Sequence, residues 1–195
     1  MRRLLFIFIV MSFFSGEASA DTYTLYFSRH MEKTTDKTDP DLSLVGKQRA
    51  QVLAQVLKNS DIEAIFSTDY KRTQQTAEAL AKQLGVSVET YPAKDFKGIV
   101  TSLKELKKNA LIIGHSNTVP ELVKAAGGSA EKLGEEDFGD LFQVVISGDS
   151  VITNRLYVPV IQWPVRPVTQ FTDNLLPVRF KPRQHFTFYG FRVFA

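Results

Sequence analysis

The stretch TYTLYFSRHME, residues 22–32, decides the fold. Through Ser28 it alternates and is rich in β-branched and aromatic side chains, which predicts a first strand over Thr22–Ser28. Working outward, Ser43 caps a helix predicted over Leu44–Lys58, with Leu44, Val45, Ala50, Val52, Leu53, Val56 and Leu57 expected on one apolar face. Ile62–Ser67 is a short apolar strand. Tyr70–Leu84 is a second amphipathic helix, stopped by Gly85. Val86–Thr90 and Phe96–Lys107 repeat the strand-helix pair, and Ala110–Ile113 runs as a wholly apolar strand into Gly114-His115. A helix with Pro120 in its first turn ends at Gly127-Gly128, and Leu141–Ile146 with Val151–Val158 reads as a hairpin. This order predicts an α/β fold, with a mostly parallel central sheet and helices on both faces. Any site should then lie beyond the carboxyl ends of the strands.

The chain has 195 residues and a formal net charge of +3, enough for one domain with a sizeable core. There is no cysteine, which excludes a disulfide scaffold, thiolate catalysis and Cys-ligated metal sites. The charge is unevenly placed: residues 1–20 carry +1, residues 21–158 carry −2 and residues 159–195 carry +4. The basic ends therefore do not argue for a nucleic-acid partner.

Met1-Arg2-Arg3, the apolar run Leu4–Phe14 and the small-residue stretch ending Ala18-Ser19-Ala20 have the grammar of a secretory signal peptide, cleaved after Ala20. An eleven-residue apolar run would rise only about 16 Å as a helix, too short to span a ~30 Å hydrocarbon core. The expected location is periplasmic or secreted, with no transmembrane segment in the mature chain. Residues 159–195 hold five of the eight prolines and eight aromatics, which excludes a helix across Pro159, Pro164 and Pro167. Thr187–Phe194 reads as an edge strand. Three readings of this tail stand: an arm packing on the domain or a partner subunit, a basic-aromatic patch for anionic lipid or polysaccharide, and an aberrant C-terminus from read-through or a shifted frame.

His30 and His115 both directly follow predicted parallel strands, so both fall on the same edge of the sheet. Arg29 precedes the first, and Arg72 opens the helix after the second strand. Two guanidiniums and two imidazoles suit a phosphoryl group. Arginine presents forked, permanently charged donors to its oxygens, and a neutral imidazole is a competent nucleophile. A metal held by His30, His115 and nearby carboxylates is disfavoured by the adjacent arginines. No phosphate-binding glycine-rich loop or dinucleotide fingerprint is present. His185 is assigned to the tail, and Glu135-Glu136-Asp137 to a solvated loop.

The segments FSRHMEK (27–33), DLSLVG (41–46), STDYKRTQQTA (67–77) and IGHSNT (113–118) resemble, in order and spacing, the histidine phosphatase superfamily, the group of cofactor-dependent phosphoglycerate mutases and short phosphohistidine phosphatases. The resemblance covers about residues 22–158. It implies that His30 becomes phosphorylated, that Arg29 and Arg72 hold the phosphoryl oxygens, that His115 completes the pocket, and that neither metal nor cofactor takes part. Together with the signal-peptide pattern of residues 1–20, it leads to the expectation of an exported phosphatase for phosphomonoesters, its substrate a small phosphorylated compound or a cell-envelope phosphate. A mutase and a non-catalytic phosphate- or glycan-binding module are the alternatives. Two departures stand out. The family commonly has glycine after the first Arg-His, where this chain has Met31, expected to narrow the pocket. One branch has aspartate after the second histidine, where this chain has Ser116. The proton donor is then expected among Asp95, Glu89 and Glu32, with Asp95 first. Substrate identity and oligomeric state are not readable from the sequence.

Overall fold

The computed structural model describes residues 21–160. The expected signal peptide, almost the whole tail, His185 and the edge strand at Thr187–Phe194 lie outside the described residues. Six strands and four helices alternate as β1 (Thr22–Arg29), α1 (Leu44–Leu57), β2 (Ala64–Thr68), α2 (Lys71–Leu84), β3 (Val88–Tyr91), α3 (Phe96–Leu106), β4 (Ala110–Gly114), α4 (Val119–Ala125), β5 (Asp140–Ser147) and β6 (Ser150–Tyr157). They form one sheet in the order β3-β2-β4-β1-β5-β6. The pairs β1–β4, β2–β4 and β2–β3 are parallel, and β1–β5 and β5–β6 antiparallel. The parallel centre and the terminal hairpin are as predicted, with boundaries moved by one or two residues.

Both faces of the sheet are covered. Leu25, Phe27, Phe66 and Ile112 point toward α3 and α4, where they meet Ile99, Leu103, Leu122 and Val123. Tyr26, Ile65, Leu111 and Ile113, one residue out of phase, point toward α1 and α2 and meet Leu53, Leu57, Ala77 and Leu80. This alternation is the period of two that a pleated strand imposes. Because each face is covered, the short central strands β2 and β4 are buried at every position, which explains why Ala110–Ile113 reads as a continuous apolar run.

Helix ends follow local chemistry. The Ser43 hydroxyl accepts from Gly46 N at 3.1 Å, capping α1. Gly85 closes α2 in the left-handed region at φ 69°. The apolar face of α1 is narrower than predicted. Its buried stripe is Gly46, Ala50, Leu53, Ala54 and Leu57, at helical spacing, whereas Leu44, Val45 and Val56 fall outside it and are exposed.

The sheet opens at the carboxyl end of β4, whose exit parts from those of both its neighbours. After β1 the chain leaves toward α1 on one face, and after β4, its neighbour, toward α4 on the other. Adjacent loops that part in this way leave a crevice at the carboxyl ends of the strands. Register sets what faces it: Arg29 pairs with Gly114, and His30 N donates to Gly114 O at 3.0 Å. His30 and His115 therefore leave the ladder side by side.

Candidate active site

The crevice is a cleft of roughly 360 Å³ whose walls include Arg29, His30, Arg72, His115 and Glu135. The structure brings together the four residues singled out in the sequence. The two imidazole centroids are 5.5 Å apart, with planes at 69°.

His30 is 3% exposed, and its Nδ1 lies 2.7 Å from Met31 O. A carbonyl only accepts, so Nδ1 carries the proton and Nε2 keeps its lone pair. Burial, reinforced by the positive field of Arg29 and Arg72, pushes the imidazole down to about 3 even though the Met31 carbonyl pulls the other way. His30 is thus a neutral imidazole with an unblocked nitrogen, the state a nucleophile requires.

His115 is held differently. Its Nε2 lies 3.1 Å from Thr68 Oγ1, and its Nδ1 lies 3.5 Å from Arg72 Nη2. The Tyr70 ring meets it edge-on at 5.1 Å. Burial first, then Arg72 and Arg29, lower its pKa to about 4.

The arginines are fixed by everything except their Nε atoms. Arg29 Nη1 donates to the carbonyls of Gly134 and Glu135, at 2.9 and 2.7 Å, and the guanidinium lies 4.1 Å from the centroid of Phe138. Its Nη2 pairs with the Glu135 carboxylate at 3.3 Å. Arg72 stacks on Tyr70 at 4.6 Å and faces Asp39 at 3.7 Å. Both Nε atoms are buried and lack a hydrogen-bond partner among the described residues. A buried, unsatisfied N–H of a permanent cation is costly unless an anion supplies the acceptor. Two such donors flanking a pair of neutral imidazoles make a receptor for a tetrahedral oxyanion.

The expected proton donors lie elsewhere. Asp95 caps α3, accepting from Gly98 N at 2.8 Å, and with Glu89 it lines a separate cavity beside β3. Glu32 is bound by Arg49, whose Nε lies 3.1 Å from each carboxylate oxygen. The carboxylate on the cleft wall is Glu135, from the loop the sequence reads as solvated. It is indeed 84% exposed, and it also accepts from Ser116 Oγ at 3.3 Å. Met31 does not narrow the pocket. It is fully buried in the core on the α1–α2 side, its N–H held by Thr76 Oγ1 at 3.1 Å.

The DLSLVG segment, residues 41–46, stays out of the cleft and braces its wall. Gln75 clasps Asp41 Oδ1 at 2.6 Å and Leu42 N at 2.8 Å. Gly46 packs so tightly on the main chain of Glu32 that a Cβ there would collide with it. Arg49, also missed in the sequence, is 7% exposed and ties Glu32 to Val158 O at 2.7 Å. Its apparent place on a charged helix face gave no signal. Lys33 and Lys94 add positive charge at the rim, and a neighbouring cavity of roughly 310 Å³ shares Lys33, Tyr70 and Arg72 with the cleft.

A family profile described as "Histidine phosphatase superfamily (branch 1)" matches residues 25–94, which span Arg29, His30 and Arg72. Over this segment, a little more than a third of its length, the chain resembles the histidine phosphatase superfamily. Among curated relatives it is 33% identical over 75 residues to "Probable phosphoglycerate mutase GpmB" of Yersinia pestis and of Yersinia pseudotuberculosis; the match spans 35% of this chain and 35% of the relative. Among solved structures, the protein histidine phosphatase SixA complexed with tungstate superimposes with a TM-score of 0.59 at 20% identity, covering 69% of this chain and 96% of that one. The α-ribazole phosphatase from Shigella flexneri superimposes at 0.58 with 13% identity, covering 72% of this chain and 98% of its own. At these identities the structural likeness is one of fold, and it covers more of the chain than the segment that the family profile matches.

Proposed function

We propose that this chain is a member of the histidine phosphatase superfamily and an exported, metal-independent phosphatase that hydrolyses phosphomonoesters through a phosphohistidine on His30. The observation that carries the reading is the pair of buried, unpartnered Nε–H groups of Arg29 and Arg72 beside a neutral His30 whose Nε2 lone pair is unblocked. In the first step Nε2 attacks phosphorus in line, the phosphoryl group passes to the imidazole, and the bond to the leaving oxygen breaks. That oxygen takes up a proton carried in on the phosphoryl group or drawn from water and leaves as an alcohol. In the second, water attacks the phosphoryl group, the N–P bond breaks, and inorganic phosphate leaves. Two guanidiniums and His115 meet the charge on the equatorial oxygens, which is most of what phosphoryl transfer asks of a protein. The same positive charge works against a cation in the cleft. Export rests on the grammar of residues 1–20, and N-terminal sequencing of the mature protein checks it: a chain beginning at Met1 removes that part of the reading.

The test is labelling with a 32P-phosphomonoester stopped by an alkaline detergent quench, since the N–P bond of phosphohistidine is acid-labile. Label retained on His30 and lost in His30→Ala, together with phosphate release, supports hydrolysis. Stoichiometric transfer to an acceptor alcohol without phosphate release would make the protein a mutase, the activity named for its curated relatives. Binding of phosphate with no label and no turnover would leave a non-catalytic module.

A further inference from the structure

The hydroxyl chain behind His115 determines which of its nitrogens carries the proton. Thr73 Oγ1 lies 2.8 Å from both Thr68 O and Tyr70 O. Carbonyls only accept, so the single Thr73 hydroxyl proton points at them. The 2.9 Å contact between Thr73 Oγ1 and Thr68 Oγ1 then requires the Thr68 proton. With that proton spent, Thr68 Oγ1 can face His115 Nε2 only as an acceptor, so Nε2 carries the imidazole proton. Nδ1 is left with a lone pair beside Arg72 Nη2, a group that only donates. His115 is thus locked in the tautomer opposite to that of His30.

A neutral imidazole in this tautomer has no proton to offer an oxyanion from Nδ1. Resting on the proposed reaction, we propose that Thr68 and Thr73 are positioning residues that make His115 Nδ1 a proton acceptor, so that the cleft takes a phosphoryl group together with one proton shared between its oxygen and Nδ1. The substrate is therefore recognised as the protonated phosphoryl monoanion. The proton arrives on a phosphoryl oxygen or, equivalently, is taken up from water as the dianion binds; either way one proton is bound per phosphoryl group, and no bond to phosphorus changes. The low pKa of free His115 agrees, since the imidazole enters the complex unprotonated. The charged and titratable groups facing it are Tyr70 and Arg72 from the start of α2, Arg29 and His30 from the end of β1, and Glu135 through Ser116. Both arginines stay charged and His30 stays neutral over the range probed, pH 6 to 9.

The test uses the full protein and inorganic phosphate as the probe. Two-dimensional 15N–1H spectra of the histidine side chains should show His115 as Nε2–H with an unprotonated Nδ1, and His30 as the reverse. The Kd for phosphate should rise about tenfold per pH unit above the second ionisation of phosphate, the signature of one bound proton. Thr68→Val removes the acceptor and frees His115 to become an Nδ1–H donor. Its Kd should then lose that slope, while Thr68→Ser keeps both tautomer and slope. A wild-type His115 with Nδ1–H overturns the proposal, as does a wild-type Kd flat with pH or a Thr68→Val slope equal to wild type. The wild-type spectrum and slope decide the matter even where Thr68→Val fails to fold. Absence of phosphohistidine in the labelling experiment would sink the phosphatase reading while leaving the tautomer and slope to stand or fall alone.

Discussion

The chain exits from β1 and β4 place a histidine at equivalent points of one sheet edge, yet the two are held by different means. The first is tied by the main chain: Met31 O fixes the His30 tautomer, and no substitution can remove that carbonyl. The second is tied by side chains, through Thr68 and Thr73. The difference teaches that the imidazole proposed to form the covalent bond is secured by the backbone, and the one proposed to answer the charge of the substrate is secured by replaceable hydroxyls. The first exit is specified within three consecutive residues. The second depends on a hydrogen-bonded chain running from β2 to the first turn of α2.

The sharpest break in this comparison comes from His30→Ala. Turnover should fall by at least about 10³-fold, because the covalent route is lost while the rest of the cleft survives. A residual rate near wild type would show that His30 is not the nucleophile. Arg72→Ala should cost about 10²–10³-fold in kcat, the usual effect of deleting one preorganised oxyanion donor. Its melting temperature should stay close to wild type, and a large drop would assign Arg72 a structural role instead.

Arg49→Ala tests the support behind the first exit alone. It leaves the partly buried Glu32 without its partner; breaking a fully buried pair costs roughly 3–5 kcal/mol, so a loss of about 2–3 kcal/mol is expected here. Urea denaturation measures this; a loss below about 1 kcal/mol would mean that Glu32 reaches solvent readily.

Acid should separate the two exits further. Both imidazoles sit below their unfolded value near 6.5, His30 at about 3 and His115 at about 4. Between those values the unfolded chain binds more protons than the folded one, so stability rises with pH across this window and is lost on acidification from 6.5 downward. Replacing His30 by Asn should therefore remove more of the acid sensitivity than replacing His115, read as urea midpoints at pH 3.5, between the two folded values, and pH 7. Equal midpoints at the two pH values in the wild type would contradict the burial argument. The smallest effect belongs to Glu135→Gln. This exposed carboxylate should change stability by no more than about 0.5 kcal/mol, checked by the same denaturation series.

Much of this was legible in the sequence, for physical reasons that also mark the limit. Strand alternation and apolar runs located β1 and β4, and position after a strand put His30 and His115 on one edge. The proton-donor candidates failed because sequence shows where a carboxylate lies along the chain, not what it is bonded to. Asp95 was read as a loop acid, but the same backbone position makes it an N-cap, a signal present in Asp95 itself three residues before Gly98. Met31 was misread because alternation stops at a strand exit and no pattern tells which way the next side chain turns. Arg49, Thr68 and Thr73 have partners that are distant in sequence or lie on the backbone, so their roles appear only once the helices are packed.

The parallel ladder between β1 and β4 has one more consequence. Neighbouring strands are held at about 4.8 Å by their hydrogen bonds, and the two histidines leave adjacent rungs in register. The separation of the two backbone exits is therefore a lattice constant of the sheet. Insertions or substitutions in the loops around Lys33, Lys94 or Glu135 can alter which molecule is admitted. They leave the separation of the exits unchanged.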